Sequence, residues 1–367
     1  MNALLISGIY RPEIGGPATY IPALAEQLIA FNNKVQVVTL KNSQAQPINE
    51  TWPVNYVIRD QLLPFRFART CLLIIKKMRD SDCIFANGLF QETAIALSLS
   101  KNRSVAKVVG DPVWERAFNN GETELKIVDF NKSKLSTKHK LQRIFLGWSL
   151  NKFEYITCPS LELKQLIKSW GVKKPIELIP NGISPIASNI NSVEFDLISV
   201  CRLVKWKNLD KLIKACASAN KSLAIVGSGP EEANLKSLAS TTGGNVTFFG
   251  QLEELEVIST LQKSKAFALL SDYEGLSFSL LQAMACGLPS IVSNIKGNTD
   301  VITDGLEGLV VDANDENRLA EVIIELLDSP EKIRKFGLAA LLKSQSKYSK
   351  HEQINKVISL MNNQKEI

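Results

Sequence analysis

The sequence has very few histidines and no paired cysteines. Only two of its 367 residues are histidine, and the six cysteines stand singly, without a Cys-x-x-Cys pair. Because a zinc site normally needs clustered Cys and His ligands at short spacing, the sequence predicts no metal centre. Most of the cysteines lie in apolar runs, so we expect small core residues in a protein of the reducing cytoplasm.

Long apolar runs are also missing. The longest, such as residues 71–75, have five residues, whereas a membrane-spanning helix needs about 18 or more. The first residues, MNALLISGIYRPEIGG, show neither a basic region nor a small-residue cleavage site, so we expect no signal peptide. Together these absences predict a cytoplasmic chain that does not span a membrane.

Acidic residues are scarce in the first half. Residues 1–180 carry 24 Lys and Arg against 15 Asp and Glu, a net charge of +9, whereas residues 181–367 carry 19 against 22, a net charge of −3. The stretches 59–79 and 131–148 mix cations with Leu, Phe and Ile. This pattern indicates an anionic partner such as a membrane surface, with ordinary solvated helix faces as the alternative. Without a stripe of interleaved aromatic and basic residues, we expect no nucleic-acid binding.

The chain is too long for one ordinary core, which predicts two domains. Short apolar runs such as VNYVI and FDLISV alternate with helical patterns, as is typical of parallel sheets covered by helices on both faces. A loop-like stretch rich in Ser, Asn and Pro at residues 183–193 indicates a linker. We therefore expect an α/β protein of two doubly wound domains, in which ligands bind outside the carboxyl ends of the strands.

The stretch SDYEGLS, residues 271–277, joins an apolar strand to a helix predicted to begin near Leu276 or Ser277. The free N–H groups and the dipole of such a helix start attract an anion, and Gly275 allows a ligand to approach the backbone closely. Glu274 would then accept hydrogen bonds from the hydroxyls of a sugar attached to a phosphate. The alternative is an acidic residue that only stabilises the first turn of the helix.

Other loops that follow predicted strands carry cations or glycines. Arg202 and Lys207 lie in CRLVKWKNL, and two cations on such a loop suit a diphosphate, at about 1.5–3 kcal/mol for each charge-assisted hydrogen bond. Gly227 lies in VGSGPE and Gly16 in RPEIGGP. Neither loop has the dinucleotide-binding or the P-loop pattern. Each of these features alone is equally compatible with solvated side chains and tight turns.

Together, five stretches resemble glycosyltransferase family 4, also called group 1, whose members are retaining enzymes with the GT-B fold. They are RPEIGGPATYIPALAEQL, ELIPNGI, CRLVKWKNLDKLI, VGSGPE and SDYEGLSFSLLQAMACGLPSIVSNIKGNTDVITDGLEGLVV. They occur in the family's order over nearly the whole chain, most strongly from about residue 194 to residue 325. The resemblance implies two Rossmann-like domains that face each other across a cleft. The domains would be 1–182 for the acceptor and 194–345 for the nucleotide-sugar, with a C-terminal helix, 346–367, that crosses back to the first domain.

The resemblance also implies roles for individual residues. Arg202 and Lys207 would bind the diphosphate of the donor. The backbone N–H groups of Gly275, Leu276 and Ser277 would face the phosphates and the donor sugar. Glu274 would be the first acid of the family's E-x7-E motif and would bind the sugar hydroxyls. The remaining implied contacts are with the nucleobase, near Gly227, and with the junction of donor and acceptor, at Gly16.

The sequence departs from the family pattern at two places. Gln282 stands where the family has a second acid that holds the ribose. Replacing a charged hydrogen bond by a neutral one costs about 1 kcal/mol, or about fivefold in affinity, so we expect weaker donor binding, with a degenerate site as the alternative. Many members carry a histidine where this chain has Gly110–Asp111. Asp111 is our candidate for contacting the acceptor hydroxyl or the sugar, and a turn residue before Pro112 is the alternative.

The implied function is retaining transfer of a sugar from a UDP- or GDP-linked donor to a saccharide or lipid-linked acceptor, in cell-surface polysaccharide or glycolipid synthesis. The family typically needs no metal, so we expect no cofactor besides the donor substrate. We also expect a cytoplasmic protein, peripheral on the inner face of the membrane. Two other functions stay open: a non-catalytic partner subunit, which Gln282 suggests, and a sugar-nucleotide epimerase on the same fold.

Overall fold

A computed structural model describes residues 1–13, 15–43, 49–187 and 192–362. The chain forms two compact units: unit 1 is Met1–Pro180 with His351–Ile367, and unit 2 is Asn181–Lys350. The sequence placed the corresponding boundaries at 182/183 and 345/346. Of the predicted linker, residues 188–191 lie outside the described residues, and Ile183 pairs with Ser349 inside unit 2.

Unit 1 contains a seven-stranded parallel sheet. Its strands are β1 (Asn2–Ser7), β2 (Lys34–Lys41), β3 (Val54–Ile58), β4 (Cys83–Asn87), β5 (Arg103–Lys107), β6 (Tyr155–Cys158) and β7 (Ile176–Leu178). The order across the sheet is β3-β2-β1-β4-β5-β6-β7, with parallel pairing throughout. The chain therefore winds in one direction before β4 and in the other after it, which makes the sheet doubly wound.

The helices of unit 1 connect these strands. They are α1 (Gly16–Ala30), α2 (Leu63–Met78), α3 (Phe90–Leu97), α4 (Pro112–Asn119), α5 (Ile127–Lys132), α6 (Thr137–Leu150) and α7 (Leu161–Ser169). Pro17 stands in the first turn of α1, where its missing N–H group is not needed. The polar stretch between β5 and α6 contains α4 and α5, which the sequence pattern did not predict.

Unit 2 contains a six-stranded parallel sheet with the order β10-β9-β8-β11-β12-β13. Its strands are β8 (Phe195–Val200), β9 (Leu223–Val226), β10 (Val246–Gly250), β11 (Ser264–Leu269), β12 (Ser290–Ser293) and β13 (Gly308–Val311). Its helices are α8 (Leu209–Ser218), α9 (Glu232–Thr242), α10 (Glu254–Gln262), α11 (Phe278–Ala285), α12 (Lys296–Thr299), α13 (Glu316–Leu327) and α14 (Pro330–Lys347). This sheet is doubly wound as well, and the winding reverses between β8 and β11.

Both faces of the second sheet are buried. Leu197 and Ile198 are neighbours on β8, yet they belong to two different hydrophobic clusters, one on each face of the sheet. This arrangement explains the nearly continuous apolar strands that the sequence shows. The last helix, α15 (Lys350–Asn362), belongs to unit 1 from His351 onwards. Within the described ranges, no helix combines the length and the apolar character needed to cross a membrane.

Candidate active site

The predicted donor-binding residues of unit 2 lie on loops at one edge of its sheet. Residues 201–208 follow β8 and residues 270–277 follow β11. Because β8 and β11 are adjacent parallel strands, these two loops leave the sheet side by side at the point where the winding reverses. The loop that contains Gly227 follows β9, the neighbour of β8 on its other side.

Lys207 and Glu274 form an ion pair between these two loops. The ammonium group of Lys207 donates to Oε1 of Glu274, although the residues are 67 positions apart in the sequence. Their side chains are only 14% and 11% exposed, respectively, so solvent screens the pair less than it would at the surface. The hydroxyl of Ser271 donates to the same carboxylate oxygen at 2.6 Å.

The second oxygen of the Glu274 carboxylate has a different environment. Both hydrogen bonds to this side chain converge on Oε1. Among the described residues, no group donates a hydrogen bond to Oε2. The fold thus fixes the carboxylate through one oxygen and leaves the other as an acceptor for a ligand hydroxyl.

Two further hydrogen bonds hold the two loops together. The N–H group of Asp272 donates to the carbonyl oxygen of Trp206 at 2.8 Å. The side-chain amide of Asn208 donates to the carbonyl oxygen of Leu270, also at 2.8 Å. Asn208 is buried and has a left-handed backbone conformation, with φ of 52°, which asparagine adopts more readily than most residues. The positions of Lys207 and Glu274 are therefore determined by backbone as well as side-chain contacts.

The other predicted donor contacts surround this pair. Arg202 lies on the same loop as Lys207 and is exposed. Gly227 has φ of +133°, and a Cβ atom there would overlap the carbonyl oxygen of Cys201. Glycine is therefore needed where the loop after β9 packs against the loop that contains Arg202.

The segment Gly275–Leu276–Ser277 leads into α11. Leu276 packs into a hydrophobic cluster, and its carbonyl oxygen accepts a hydrogen bond from the Asn181 side chain at 3.0 Å. The Ser277 hydroxyl caps the helix by accepting from the N–H group of Leu280 at 3.3 Å. These side chains are thus used within the fold, so a ligand at this segment would have to bind through backbone N–H groups.

Gln282 lies in α11 and is half-buried. Within the part of the chain that the structure describes, its side-chain amide makes no hydrogen bond. The amide is therefore not committed to the fold, which is compatible with the predicted contact to a ribose but does not test it.

A buried polar network that the sequence analysis did not identify supports the loop of Glu274. The Asn298 amide donates to Oγ of Ser293 at 3.0 Å, and this hydroxyl donates to the carbonyl oxygen of Ser271 at 2.6 Å. All three residues are at most 3% exposed. Next to Asn298, a Cβ atom on Gly297 would overlap the carbonyl oxygen of Glu274. The start of α12 therefore packs directly on the backbone of Glu274, and the sequence signal for this contact is the Gly-Asn pair after β12.

Asp111, in unit 1, is fully buried at the start of α4. Its Oδ1 accepts hydrogen bonds from the N–H groups of Val113 and Trp114. The Arg143 guanidinium donates to both carboxylate oxygens, at 2.8 and 2.7 Å, and the Asn131 amide donates to Oδ2 at 3.0 Å. Five hydrogen bonds occupy the carboxylate, so the geometry favours a capping and positioning role. Direct contact with acceptor or sugar remains a prediction.

Gly16 is the first residue of α1, also in unit 1. Helix α1 has 15 residues, so its first N–H groups and its dipole could attract an anion. The predicted role of Gly16 at the junction of donor and acceptor remains a prediction. Among the described residues, no group of three or more His, Cys, Asp and Glu side chains is arranged to hold a metal ion.

Two models of known protein families together match most of the chain. The model of Glycosyltransferase Family 4 matches residues 14–185, and that of Glycosyl transferases group 1 matches residues 183–342. The chain belongs to the group 1 glycosyltransferases. The resemblance predicted from the five sequence stretches is thereby confirmed.

A curated relative of this glycosyltransferase covers nearly its full length. It is the GDP-mannose-dependent monoacylated alpha-(1-6)-phosphatidylinositol monomannoside mannosyltransferase of Corynebacterium glutamicum. The two chains are 26% identical over 95% of this chain and 94% of the relative.

Solved structures identify the fold of this glycosyltransferase as GT-B. Sucrose-phosphate synthase from Thermosynechococcus elongatus has a TM-score of 0.81 and 18% identity, over 99% of this chain and 98% of its own. Anabaena HepE in complex with UDP and glucose has a TM-score of 0.78 and 16% identity, over 99% of this chain and all of its own. The expected α/β class with two doubly wound domains is confirmed.

Proposed function

We propose that this glycosyltransferase moves a sugar from a UDP- or GDP-linked donor to a saccharide or lipid-linked acceptor, in the synthesis of a polysaccharide or glycolipid. The observation that carries the proposal is the Lys207–Glu274 pair at the carboxyl ends of β8 and β11. A cation beside a carboxylate with one uncommitted oxygen fits a ligand that carries phosphates and hydroxyls next to each other.

The comparisons support a nucleoside diphosphate as the leaving group. The name of the Corynebacterium glutamicum relative specifies GDP-mannose, and HepE was solved with UDP. Both nucleotides contain a diphosphate, so Lys207 and Arg202 would bind the same group in either donor. The base is left open between uracil and guanine.

In the proposed reaction, the bond between the anomeric carbon and the diphosphate breaks as the acceptor oxygen attacks. Lys207, Arg202 and the backbone N–H groups of Gly275–Ser277 stabilise the growing negative charge on the diphosphate. Oε2 of Glu274 accepts hydrogen bonds from sugar hydroxyls and orients the ring. A phosphate oxygen of the donor takes the acceptor proton on the face from which the diphosphate leaves, so the anomeric configuration is retained and no metal is required.

The acceptor site belongs to unit 1 in this proposal. We assign Gly16 to the junction of donor and acceptor, and Asp111 holds the start of α4 in place. A lipid-linked acceptor requires that the enzyme work at the cytoplasmic surface of a membrane.

A calorimetric binding screen of the purified protein tests the donor site. UDP, GDP and ADP are compared, with and without attached sugars. We expect selective binding of UDP or GDP, at least tenfold weaker in Lys207→Ala, since a charge-assisted hydrogen bond contributes about 1.5–3 kcal/mol. Lys214→Ala, at a half-buried lysine of α8 whose ammonium group pairs with Glu316, is the matched control and should bind like the wild type.

In the wild type, the attached sugar should strengthen nucleotide binding, and this gain in affinity should disappear in Glu274→Ala. The bare nucleotide should bind to Glu274→Ala nearly as tightly as to the wild type. NMR of the anomeric proton in the product then tests retention, and turnover in the presence of EDTA tests metal independence. If the wild type binds none of the nucleotides at millimolar concentration, the transferase proposal fails and the non-catalytic partner subunit takes its place. Nucleotide-sugar binding with interconversion of the sugar, but no transfer, would indicate the epimerase.

A further inference from the structure

Helices α2 and α6 expose apolar side chains next to cations. Right-handed crossovers from β3 to β4 and from β4 to β5 place α2 and α3 on one side of the first sheet. Helix α3 packs against both α2 and α6, so all three lie in one layer. We call the outer surface of this layer the α2–α6 face; its main exposed residues are Phe65, Arg69, Leu72, Lys76, Lys140, Leu141, Ile144, Phe145 and Trp148.

The apolar stripe on α6 points away from the core. Leu141, Ile144, Phe145 and Trp148 recur at helical spacing and are 62, 57, 40 and 40% exposed, respectively. The rings of Phe145 and Trp148 stack, with their centroids 5.6 Å apart. A surface helix normally turns such a stripe inwards. The inner side of α6 already carries Leu146 and Leu150, beside Arg143, whose charge is committed to Asp111. The exposed stripe is therefore a second apolar surface on the same helix.

The same helices carry cations in stretches without acidic residues. Between Asp129 and Glu154 there are six Lys and Arg residues and no Asp or Glu. Between Asp60 and Asp80 there are five Lys and Arg residues and again no Asp or Glu. The ammonium group of Lys152 lies 5.2 Å from the centroid of the Trp148 ring. Two of these cations pair with acids: the buried Arg143 with Asp111, and Lys138 with Glu122 at 2.7 Å. The α2–α6 face therefore combines positive charge with exposed aromatic and aliphatic side chains.

This combination fits a bilayer better than a protein partner. Interfaces between proteins are depleted of lysine, and a second copy of this face would repel the first by its own charge. At a membrane surface, Trp and Phe lie at the level of the headgroups, while Lys and Arg extend to the lipid phosphates.

We propose that the α2–α6 face docks on an anionic membrane surface. Phe145 and Trp148 enter the boundary between headgroups and acyl chains, and Lys140, Arg69 and Lys76 contact lipid phosphates. The inference deepens the proposed function and rests on it for the lipid-linked acceptor, but vesicle binding itself requires neither donor nor acceptor.

Co-sedimentation of the full chain with vesicles tests the charge and the apolar stripe separately. We expect binding to phosphatidylcholine vesicles that contain phosphatidylglycerol and not to phosphatidylcholine alone. Lys140→Glu with Arg69→Glu should weaken binding by more than about twentyfold, since each cation near an anionic surface contributes about fivefold. Phe145→Ser with Trp148→Ser should weaken it by about tenfold or more. Leu255→Ser, at an 80% exposed leucine of unit 2, is the matched control.

Tryptophan fluorescence distinguishes insertion from simple attraction. The indole of Trp148 should shift to shorter wavelength on anionic vesicles, and Trp148→Phe should abolish this shift while vesicle binding persists. Vesicle binding that is insensitive to both double variants, or a face that instead mediates dimers in solution, would overturn the proposal. Nucleotide binding is measured on the same variants and should not change. If the wild type binds vesicles but no nucleotide, the docking proposal stands and the transferase proposal fails. If it binds nucleotide but no vesicles, the transferase proposal stands and the docking proposal fails.

Discussion

At the scale of single residues, substitution of Gln282 tests how much a negative charge at this position would strengthen donor binding. Its half-buried amide is uncommitted within the described residues, eight positions after Glu274. If it contacts a ribose, Gln282→Glu replaces a neutral acceptor by a charged one. We expect nucleotide binding to strengthen by about fivefold, because the difference between the two kinds of hydrogen bond is about 1 kcal/mol.

Calorimetry with UDP and GDP on the wild type and on Gln282→Glu measures this change. Gln282→Ala serves as the control, since it removes the contact and should weaken binding. Unchanged affinity in both variants would show that position 282 does not contact the nucleotide.

Lys107 is a second residue whose environment the sequence does not reveal. It is 1% exposed on β5, and its ammonium group has no hydrogen-bond partner among the described residues. It lies 4.4 Å from the centroid of the Tyr20 ring. Burial lowers the pKa of Lys107 to about 8, compared with about 10.4 in an unfolded chain.

This lowered pKa predicts a pH-dependent cost to stability. Below pH 8 the lysine is protonated in both states, and the folded state bears the whole burial penalty, about 3 kcal/mol. The unfolded chain binds more protons between pH 8 and about 10.4, so the contribution of Lys107 to the free energy of unfolding rises there as the penalty disappears. A buried cation–π contact offsets about 2 kcal/mol of this penalty. Lys107→Met should therefore stabilise the protein by about 1 kcal/mol at pH 7.

Denaturant unfolding from pH 7 to pH 10 checks the sign. Relative to Lys107→Met, the wild type should gain up to about 3 kcal/mol in its free energy of unfolding as the pH rises. Lys101→Met, at an exposed lysine before β5, controls for other groups that titrate in this range. A Lys107→Met variant that is less stable at pH 7 would mean that the aromatic contact outweighs burial.

At the scale of elements, the start of α12 positions the loop of Glu274. Gly297 packs against the carbonyl group of Glu274 with no room for a Cβ atom. We expect Gly297→Ala to displace Glu274 and to lower kcat by up to about a hundredfold, because a shift of about 1 Å in a positioned group has effects of that size. Binding of the bare nucleotide should change much less, since Lys207 is on another loop.

Steady-state kinetics and nucleotide calorimetry separate these two effects. Gly244→Ala is the control, because a Cβ atom there meets only ordinary van der Waals contacts. Equal losses in sugar-dependent and bare-nucleotide binding in Gly297→Ala would point to general unfolding of the loop instead.

Element order and sheet type could be predicted from the sequence because they depend on local periodicity. The strands VNYVI and FDLISV have the bounds that their apolar runs indicate. Long-range partners could not be predicted in this way. Nothing in the stretch around Asp111 shows that Arg143, 32 positions later, occupies its carboxylate. Likewise, Lys207 and Glu274 could each be identified as candidates, but their ion pair depends on the adjacency of β8 and β11.

At the scale of the whole molecule, unit 1 is built from two distant parts of the chain. Helix α15 contributes Ile354, Val357, Ile358 and Met361, all at most 6% exposed. Near its start, the Gln27 amide lies 2.9 Å from Nδ1 of His351. The stability of the N-terminal residues therefore depends on the last helix.

Deletion of residues 351–367 should destabilise unit 1. Burial of each of these four apolar side chains contributes about 1.5–3 kcal/mol, so their combined loss is comparable to the whole stability of an ordinary domain. The milder substitution Val357→Ala should cost about 1–3 kcal/mol and should leave the protein folded.

Limited proteolysis followed by mass spectrometry locates the effect: new cleavage sites should appear within residues 1–180, and far fewer within 181–350. Lys356→Ala, at a half-buried position of the same helix, controls for truncation of a side chain that is not part of the buried apolar face. If cleavage of Val357→Ala increases mainly in unit 2, α15 does not stabilise unit 1 as its buried side chains indicate.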